Sequence, residues 1–261
     1  MNTVVLLKMV PDVVEELEVA ADGRSLDTQF LRLILNERDN HALELALLLK
    51  ERHGGKVAAV ALDAPEVDEV LFAALAKGAD RAIKVAGVKS GLGTRTAANC
   101  LARVLPTVDG LLPADFIVAG CQAIDDLDGM VAPLLAHEMK LPYLGLVTRV
   151  TLDSADRKAT VQKEYAGGVH GEFEVLLPAV LGIQAAEKPP RYVPVAKVRA
   201  AMKSQTIEMA EVPALANGGE AAIRVLSMAK PEAAGHAEML EGTPEQIASK
   251  IAEVLFARGV L

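Results

Sequence analysis

Short apolar runs alternate with longer segments of helical period through the first half of the chain. Val4–Leu7 reads as a strand, stopped at Lys8-Met9-Val10-Pro11. Ala21-Asp22-Gly23 reads as a turn. Asn36 stands where a helix cap belongs. Behind it Ala42, Leu45, Ala46 and Leu49 recur at helical spacing, until Gly54-Gly55 ends the pattern. Val57–Leu62 is a buried strand. Pro65 opens a second helix with Val70, Leu71, Ala74 and Leu75 as its stripe, ending at Lys77-Gly78. Ala82–Val85 is a strand, Thr94–Leu105 a helix, Phe116–Ala119 a strand, and Asp128–Met139 a helix with Pro133 in its first turns. This order predicts an α/β fold, a doubly wound and mostly parallel sheet of Rossmann-like type. Such sheets bind ligands at the carboxyl ends of their strands, here after Leu7, Leu62 and Ala119.

After Leu141-Pro142 the period becomes two. Val150 and Leu152, then Val161, Lys163 and Tyr165, then Phe173, Val175 and Leu177 alternate, with turns at Asp153–Asp156 and Gly167-Gly168. These are antiparallel strands added to the sheet. Residues 1–183 thus form the core. From Gln184 to about Ala221 prolines break the pattern, and only Val195–Met202 suggests a short helix. This arm, 184–221, carries Lys188, Arg191, Lys197, Arg199 and Lys203 against Glu187 within 184–204. A segment of that kind is expected to bind something. The remainder, 222–261, holds a possible strand at Ile223–Met228 and a clear helix. Thr243 caps that helix, Pro244 is its first residue, and Gln246 completes a capping box. Ile247, Ile251, Val254 and Leu255 form its stripe, with Gly259 past its end.

Composition narrows the function. The 261 residues carry 27 Lys and Arg against 35 Asp and Glu, a formal net charge of −8, which disfavours nucleic-acid binding. The longest apolar run, Val175–Ile183, is too short to span a bilayer and contains Pro178, so no membrane insertion is expected. The N-terminus shows no targeting pattern, and Cys100 and Cys121 make neither a disulfide framework nor a zinc set, so a cytoplasmic setting is expected. With no Trp, three Tyr and five Phe, few rings are available to enclose a redox cofactor.

The sharpest candidate site is Ala119–Gly129, between a buried strand and a helix. Gly120 permits close backbone approach, and free N–H groups at the next helix start suit a phosphate. Gln122 offers donors and an acceptor, and the acidic residues suit a cap or a ribose hydroxyl. The loop itself has no Lys or Arg. Ordinary helix capping in an acidic turn accounts for the same residues. A metal at Asp125, Asp126 and Asp128 is disfavoured because no matching ligand cluster is visible. Gly91-Leu92-Gly93 is half of a dinucleotide fingerprint and reads as a loop. The five His show no ligand spacing. No nucleophile elbow or P-loop is present, so an acid–base or covalent enzyme is poorly supported.

At this loop the chain resembles a known family. Gly120-Cys121-Gln122-Ala123-Ile124-Asp125-Asp126 is similar to the G-K-Q-A-I-D-D segment of the electron-transfer flavoprotein beta (small) subunit. Leu7–Asp12, the helix behind Asn36, Ala73–Arg81, Leu177–Val180, Pro190-Arg191-Tyr192 and the helix after Gly242 resemble further family segments in the same order. The resemblance implies an electron carrier rather than an enzyme. It implies a larger alpha subunit that holds most of the FAD, and an AMP buried in this chain. Flavin-dependent dehydrogenases of the acyl-CoA type would deliver electrons, and a quinone-linked oxidoreductase would accept them. Electron-bifurcating members carry a second FAD in place of the AMP. Carried over by position, the nucleotide site is Leu6, Asn36, Leu62, Gly120, Gln122, Ala123, Asp125, Asp126, Gly129, Met130 and Val131. The partner-binding residues are Pro190, Arg191, Tyr192, Val195 as apolar anchor, Arg199, and Glu164. Glu37-Arg38 replaces the family's Pro-Phe, and Cys121 its loop Lys. A stand-alone nucleotide sensor of the universal-stress type is the alternative from another class.

Overall fold

The computed structural model describes residues 1–88, 92–153, 157–212, 225–231, 237 and 239–260. The elements in chain order are β1 (Asn2–Leu7), β2 (Met9–Pro11), β3 (Leu33–Leu35), α1 (Glu37–His53), β4 (Lys56–Leu62) and α2 (Val67–Lys77). Then come β5 (Arg81–Ala86), α3 (Thr94–Val104), β6 (Phe116–Gly120), α4 (Val131–Met139), β7 (Tyr143–Asp153) and β8 (Lys158–Glu164). The chain continues with β9 (His170–Leu176), β10 (Ala179–Ile183), α5 (Val195–Ser204), β11 (Glu208–Glu211) and α6 (Pro244–Ala257).

Among the described residues, nine strands form one sheet in the order β11-β5-β4-β1-β6-β10-β7-β8-β9. From β11 to β7 every pairing is parallel, and β7-β8-β9 is antiparallel. The doubly wound, mostly parallel architecture predicted from the sequence is therefore present. Alternate strand residues face two cores. Val5 and Leu7 of β1 pack with α1 and α2, whereas Val4 and Leu6 pack with α3 and α4. Period-two alternation puts successive side chains on opposite faces, so a strand covered on both sides is apolar throughout.

Helix α1 shows why its sequence is apolar nearly all round. Besides the predicted stripe, Leu43, Leu47 and Leu48 are buried. One face meets the sheet, and the segment after β10 lies against the other, with the Ala186 amide donating to His41 Nδ1 at 3.2 Å. Acidic Glu37 and Asp39 sit in its first turn and Lys50, Arg52 and His53 in its last, matching the helix dipole.

Several expectations change. The helix expected from Asp128 begins at Val131, because Leu127 and Gly129 hold positive φ angles of 53° and 62°. The apolar run Val175–Ile183 is not one extended piece. It ends β9, turns at Pro178 and continues as β10, whose five residues are all buried between β6 and β7. A short continuous apolar run is what a strand with both faces covered requires. The segment after Gln184 is also more ordered than its composition suggests. It forms α5, which packs on α2, and β11, which extends the sheet beside β5. Val225–Met228 is not a strand; the Met228 amide donates to the Gly23 carbonyl at 2.8 Å. Ile223, Arg224, Gly91, Pro213, Gly218 and Gly219 lie outside the described residues. The capping box at Thr243 and Gln246 is formed as predicted. No helix among the described residues is long and apolar enough to cross a membrane.

Leu181 in β10 is fully buried in the first core. Leu181→Ala is expected to lower unfolding free energy by about 3 kcal/mol through lost burial and a residual cavity. Urea denaturation of the two proteins measures this.

Candidate functional site

The sheet reverses its winding between β1 and β6. The chain runs from β1 outward to β4 and β5, then returns to place β6 on the other side of β1. Loops leaving neighbouring strands in opposite directions open a crevice there, at the carboxyl ends. Two of the three strand ends singled out in the sequence, Leu7 and Ala119, flank this point, and β4 lies beside β1.

Asp39, in the first turn of α1, holds the crevice together. Its carboxylate accepts the Lys8 amide at 3.0 Å and the Gly120 amide at 2.6 Å, joining the ends of β1 and β6. Burial pushes its pKa up to about 6, against the opposing pull of those amides, of Asn36 and of the Lys8 charge. Asn36 occupies the cap position of α1 but makes no capping bond; its Nδ2 donates to the Gln122 carbonyl at 3.1 Å. Gly120 is required for a different reason from the expected one. A Cβ there would stand 2.7 Å from Arg38 Cβ and from Asp39 Oδ1, so the close approach it permits is that of α1.

The loop from β6 to α4 is braced from within and below. Gln122 Nε2 donates to the Leu127 carbonyl. Lys8 Nζ reaches Asp125 Oδ1 at 2.6 Å and Asp126 Oδ2 at 2.7 Å. Burial works against the Lys8 charge, but the two carboxylates outweigh it and raise its pKa. Although the loop has no cation of its own, one arrives from the end of β1. Asp128 bonds both neighbouring helix starts. Its Oδ1 accepts the Met130 amide at 2.9 Å, and its Oδ2 accepts the Thr94 hydroxyl of α3 at 2.6 Å. Cys121 is buried, which raises its thiol pKa, and its Sγ lies 3.1 Å from Gln184 Oε1. A cavity of about 320 Å³ opens beside the loop, lined by Cys121, Gln122, Asp128 and Gly129 on one side. Tyr143, Gly145, Leu146 and Lys163 line its other side.

Of the predicted nucleotide residues, Asn36, Gly120, Gln122, Ala123, Asp125, Asp126, Gly129, Met130 and Val131 lie on this loop or touch it. Leu6 and Leu62 do not present side chains to it; Leu6 is buried in the α3–α4 core and Leu62 packs against that core. Sequence reasoning missed Lys8, Arg38, Asp39 and Thr94. The Lys8 signal was visible, as a cation directly following a parallel strand. The free amides at the start of α4 were expected to suit a phosphate, yet Asp128 already occupies the Met130 amide. Asp125 and Asp126 flank the same loop. At the Met130 amide the residues present do not fit an adenylate phosphate, since a carboxylate already holds that donor.

The partner-binding residues form a second region. Arg191 is turned inward. Its guanidinium and amide bond Glu44 at 2.9–3.1 Å, and Nη1 bonds Glu51 at 2.6 Å. Glu44 is 3% exposed. Burial raises its pKa, but the Arg191 bonds outweigh this and hold it below the usual carboxylate range. Pro190 is half-buried beside this clamp. Tyr192 is 84% and Val195 62% exposed, and Arg199 is exposed on α5. Glu164 is exposed at the end of β8.

A switch-point crevice in a parallel sheet, with an extended segment clamped across α1, defines a Rossmann-like α/β domain. A family model described as the electron transfer flavoprotein domain matches residues 25–217. The chain is 31% identical over 262 residues to the electron transfer flavoprotein subunit beta of Methylophilus methylotrophus, covering 98% of each. It is 31% identical to that of Syntrophomonas wolfei, covering 97% of this chain and 95% of the relative. The Bacillus subtilis subunit is 27% identical, with 98% and 97% covered. The chain belongs to the electron transfer flavoprotein family, on the side of its beta subunits.

Two predictions follow from the buried carboxylates. Asp39 has a folded pKa near 6, above the unfolded value near 4. Its ionisation therefore disfavours the folded state, and stability gained from its protonation appears as pH falls through 6. The slope approaches ~1.4 kcal/mol per pH unit between those values. Asp39→Asn should remove this contribution, as shown by the difference between wild-type and variant unfolding free energies at pH 7, 6 and 5. Arg191→Ala should destabilise the fold by about 2 kcal/mol by leaving Glu44 buried without its partner, less than a fully buried pair because the guanidinium is partly exposed. Arg191→Lys should restore only part of it, since four of the bonds come from the planar guanidinium, while the backbone amide bond is common to all three proteins.

Proposed function

We propose that this chain is the small subunit of a two-chain electron carrier. A larger alpha subunit holds the redox FAD. A flavin-dependent dehydrogenase of the acyl-CoA type delivers electrons, and a quinone-linked oxidoreductase receives them. The chain acts in the cytoplasm and contributes scaffold and docking surface rather than bond-making chemistry. Its family membership and its exposed arm support this reading.

The observation that carries the docking role is the contrast within the arm of residues 184–221. Arg191 is fixed to α1, while Tyr192 and Val195 directly beyond it stand in solvent. A small exposed apolar tip on a fixed base suits brief, specific contact. Lys197, Arg199 and Lys203 are exposed on the same helix and would steer an acidic partner. In the 222–261 segment, α6 leaves Ile251 and Val254, three residues apart on one face, 45% and 48% exposed, and we assign this stripe to the alpha subunit. Glu164 would meet the flavin-bearing domain from the tip of the β8–β9 hairpin.

The adenylate implied by the family resemblance is left out of this proposal, because Asp128 already accepts the Met130 amide, one of the donors at the start of α4 that a phosphate would use. A second FAD in this chain, the bifurcating alternative, carries a pyrophosphate and meets the same misfit.

Co-expression with the alpha subunit should yield a heterodimer with one flavin, counted from its visible spectrum after denaturation. Val195→Asp should leave that count unchanged and slow reduction of the heterodimer by its dehydrogenase at least tenfold in stopped-flow traces. A chain that purifies alone as a homodimer and ignores the flavoprotein partner would overturn the reading.

A further inference from the structure

We infer that Asp128 is a built-in substitute for a nucleotide phosphate, so that this subunit folds and assembles without a bound adenine nucleotide. The inference rests on the proposed two-chain assembly only for the choice of sample.

A helix start presents amides without intrahelical partners, and its dipole favours an anion. Here α3 and α4 both begin beside the β6–α4 loop and pack on one another. Asp128 supplies an anion to both, through the Met130 amide at 2.9 Å and the Thr94 hydroxyl at 2.6 Å. It is a resident carboxylate, held by the backbone and present in every molecule. Its amide donates to Asp126 Oδ1 at 3.4 Å, tying it to the rest of the acidic turn.

Charge points the same way. Asp125, Asp126 and Asp128 lie within four residues of sequence. The ammonium of Lys8 is bonded to the first two. Of the charged residues lining the adjacent cavity, Asp128 is balanced by Lys163. A phosphate dianion taking the Met130 amide would have to displace the Asp128 carboxylate from it and then remain near three aspartates. Repulsion between anions at such range, in a part-buried site, opposes binding. The Gln122 amide, the polar group expected to meet a nucleotide, instead closes the loop on the Leu127 carbonyl.

The same geometry says what would restore an anion site. Removing the Asp128 charge takes a fixed anion away from the Met130 amide, whose bond to a neutral oxygen is weaker and more easily displaced, and leaves Lys163 as the charged group of the cavity wall. Asp128→Asn keeps the side-chain size and an oxygen for the cap.

The test uses the heterodimer. Nucleotides released by acid denaturation are separated and identified by mass spectrometry. Wild type should release the alpha subunit's FAD and less than one-tenth of an equivalent of AMP. Added AMP at millimolar concentration should leave its melting temperature unchanged. Asp128→Asn should gain a melting shift with AMP, and Asp128→Asn with Lys163→Ala should lose it. An equivalent of AMP, or a second FAD, released from wild type would overturn the inference while leaving the two-chain carrier intact. An unchanged melting temperature of Asp128→Asn with AMP would overturn the assignment of Asp128 as the excluding group. Failure to form a flavin-bearing heterodimer would instead defeat the functional proposal; AMP titration of the isolated full chain then decides the present inference by the same melting readout.

Discussion

The carboxylate of Asp39 is the constraint on which the switch point depends. Parallel strands diverge at their carboxyl ends once pairing stops, and the amides of Lys8 and Gly120 would otherwise face a buried space without partners. One side chain from the first turn of α1 accepts both. Its burial is unfavourable for a charge, as its raised pKa records, and the alternative of two unpaired backbone donors is unfavourable as well. The geometry that results fixes Lys8, and Lys8 in turn fixes Asp125 and Asp126. Positions some 117 residues apart in sequence are thus set by a short chain of polar contacts rooted in one helix turn.

This chain of contacts separates what was legible in the sequence from what was not. Periodicity is a local property, and the elements it marks are those found: the capping box at Thr243, the helix behind Asn36, and the strands ending at Leu7 and Leu62. The β6–α4 loop was legible as a site because strand, glycine and acidic turn adjoin one another. Its internal wiring was not, since nothing local in Lys8 reveals which carboxylates it will meet. Strand β10 was missed because the chain reaches it directly from an antiparallel hairpin, with no helical crossover to announce a parallel strand. Strand β11 is four residues at an edge, with Met209 59% exposed, and has no apolar pattern to read. Its place beside β5 is supported instead by the Arg81–Glu208 ion pair, a contact across 127 residues.

The arm shows why charge counted along a sequence differs from charge presented to a partner. Within 184–204 five basic residues oppose one acidic residue. In the fold Glu187 pairs with Arg52, and Arg191 with Glu44 and Glu51, so the start of the arm is anchored by ion pairs with α1. The basic character that reaches solvent is carried further on, by α5. The anchoring pair is also the more consequential one energetically, because Glu44 is buried and exposed pairs contribute little. Thus the residue that reads most clearly as a recognition arginine works as a fastener, and its neighbours Tyr192 and Val195 are left exposed.

A subunit with the proposed role of presenting surfaces to other proteins has two demands that conflict. Its interior must be rigid enough to hold distances for electron transfer, while apolar groups needed for contact must stay in water. The structure divides these demands by position. Both faces of the central strands are covered, and the large side chains Phe116, Ile117, Leu181 and Ile183 are buried there. The exposed apolar groups, Tyr192 and Val195 on the arm and Val254 and Phe256 on α6, stand on segments that enter after the central strands are complete. Groups so exposed contribute little to the stability of the isolated chain, so under the proposed role substitutions there act mainly on association. Binding energy and folding energy reside in different residues, which lets a partner's demands be met without loosening the frame that positions it.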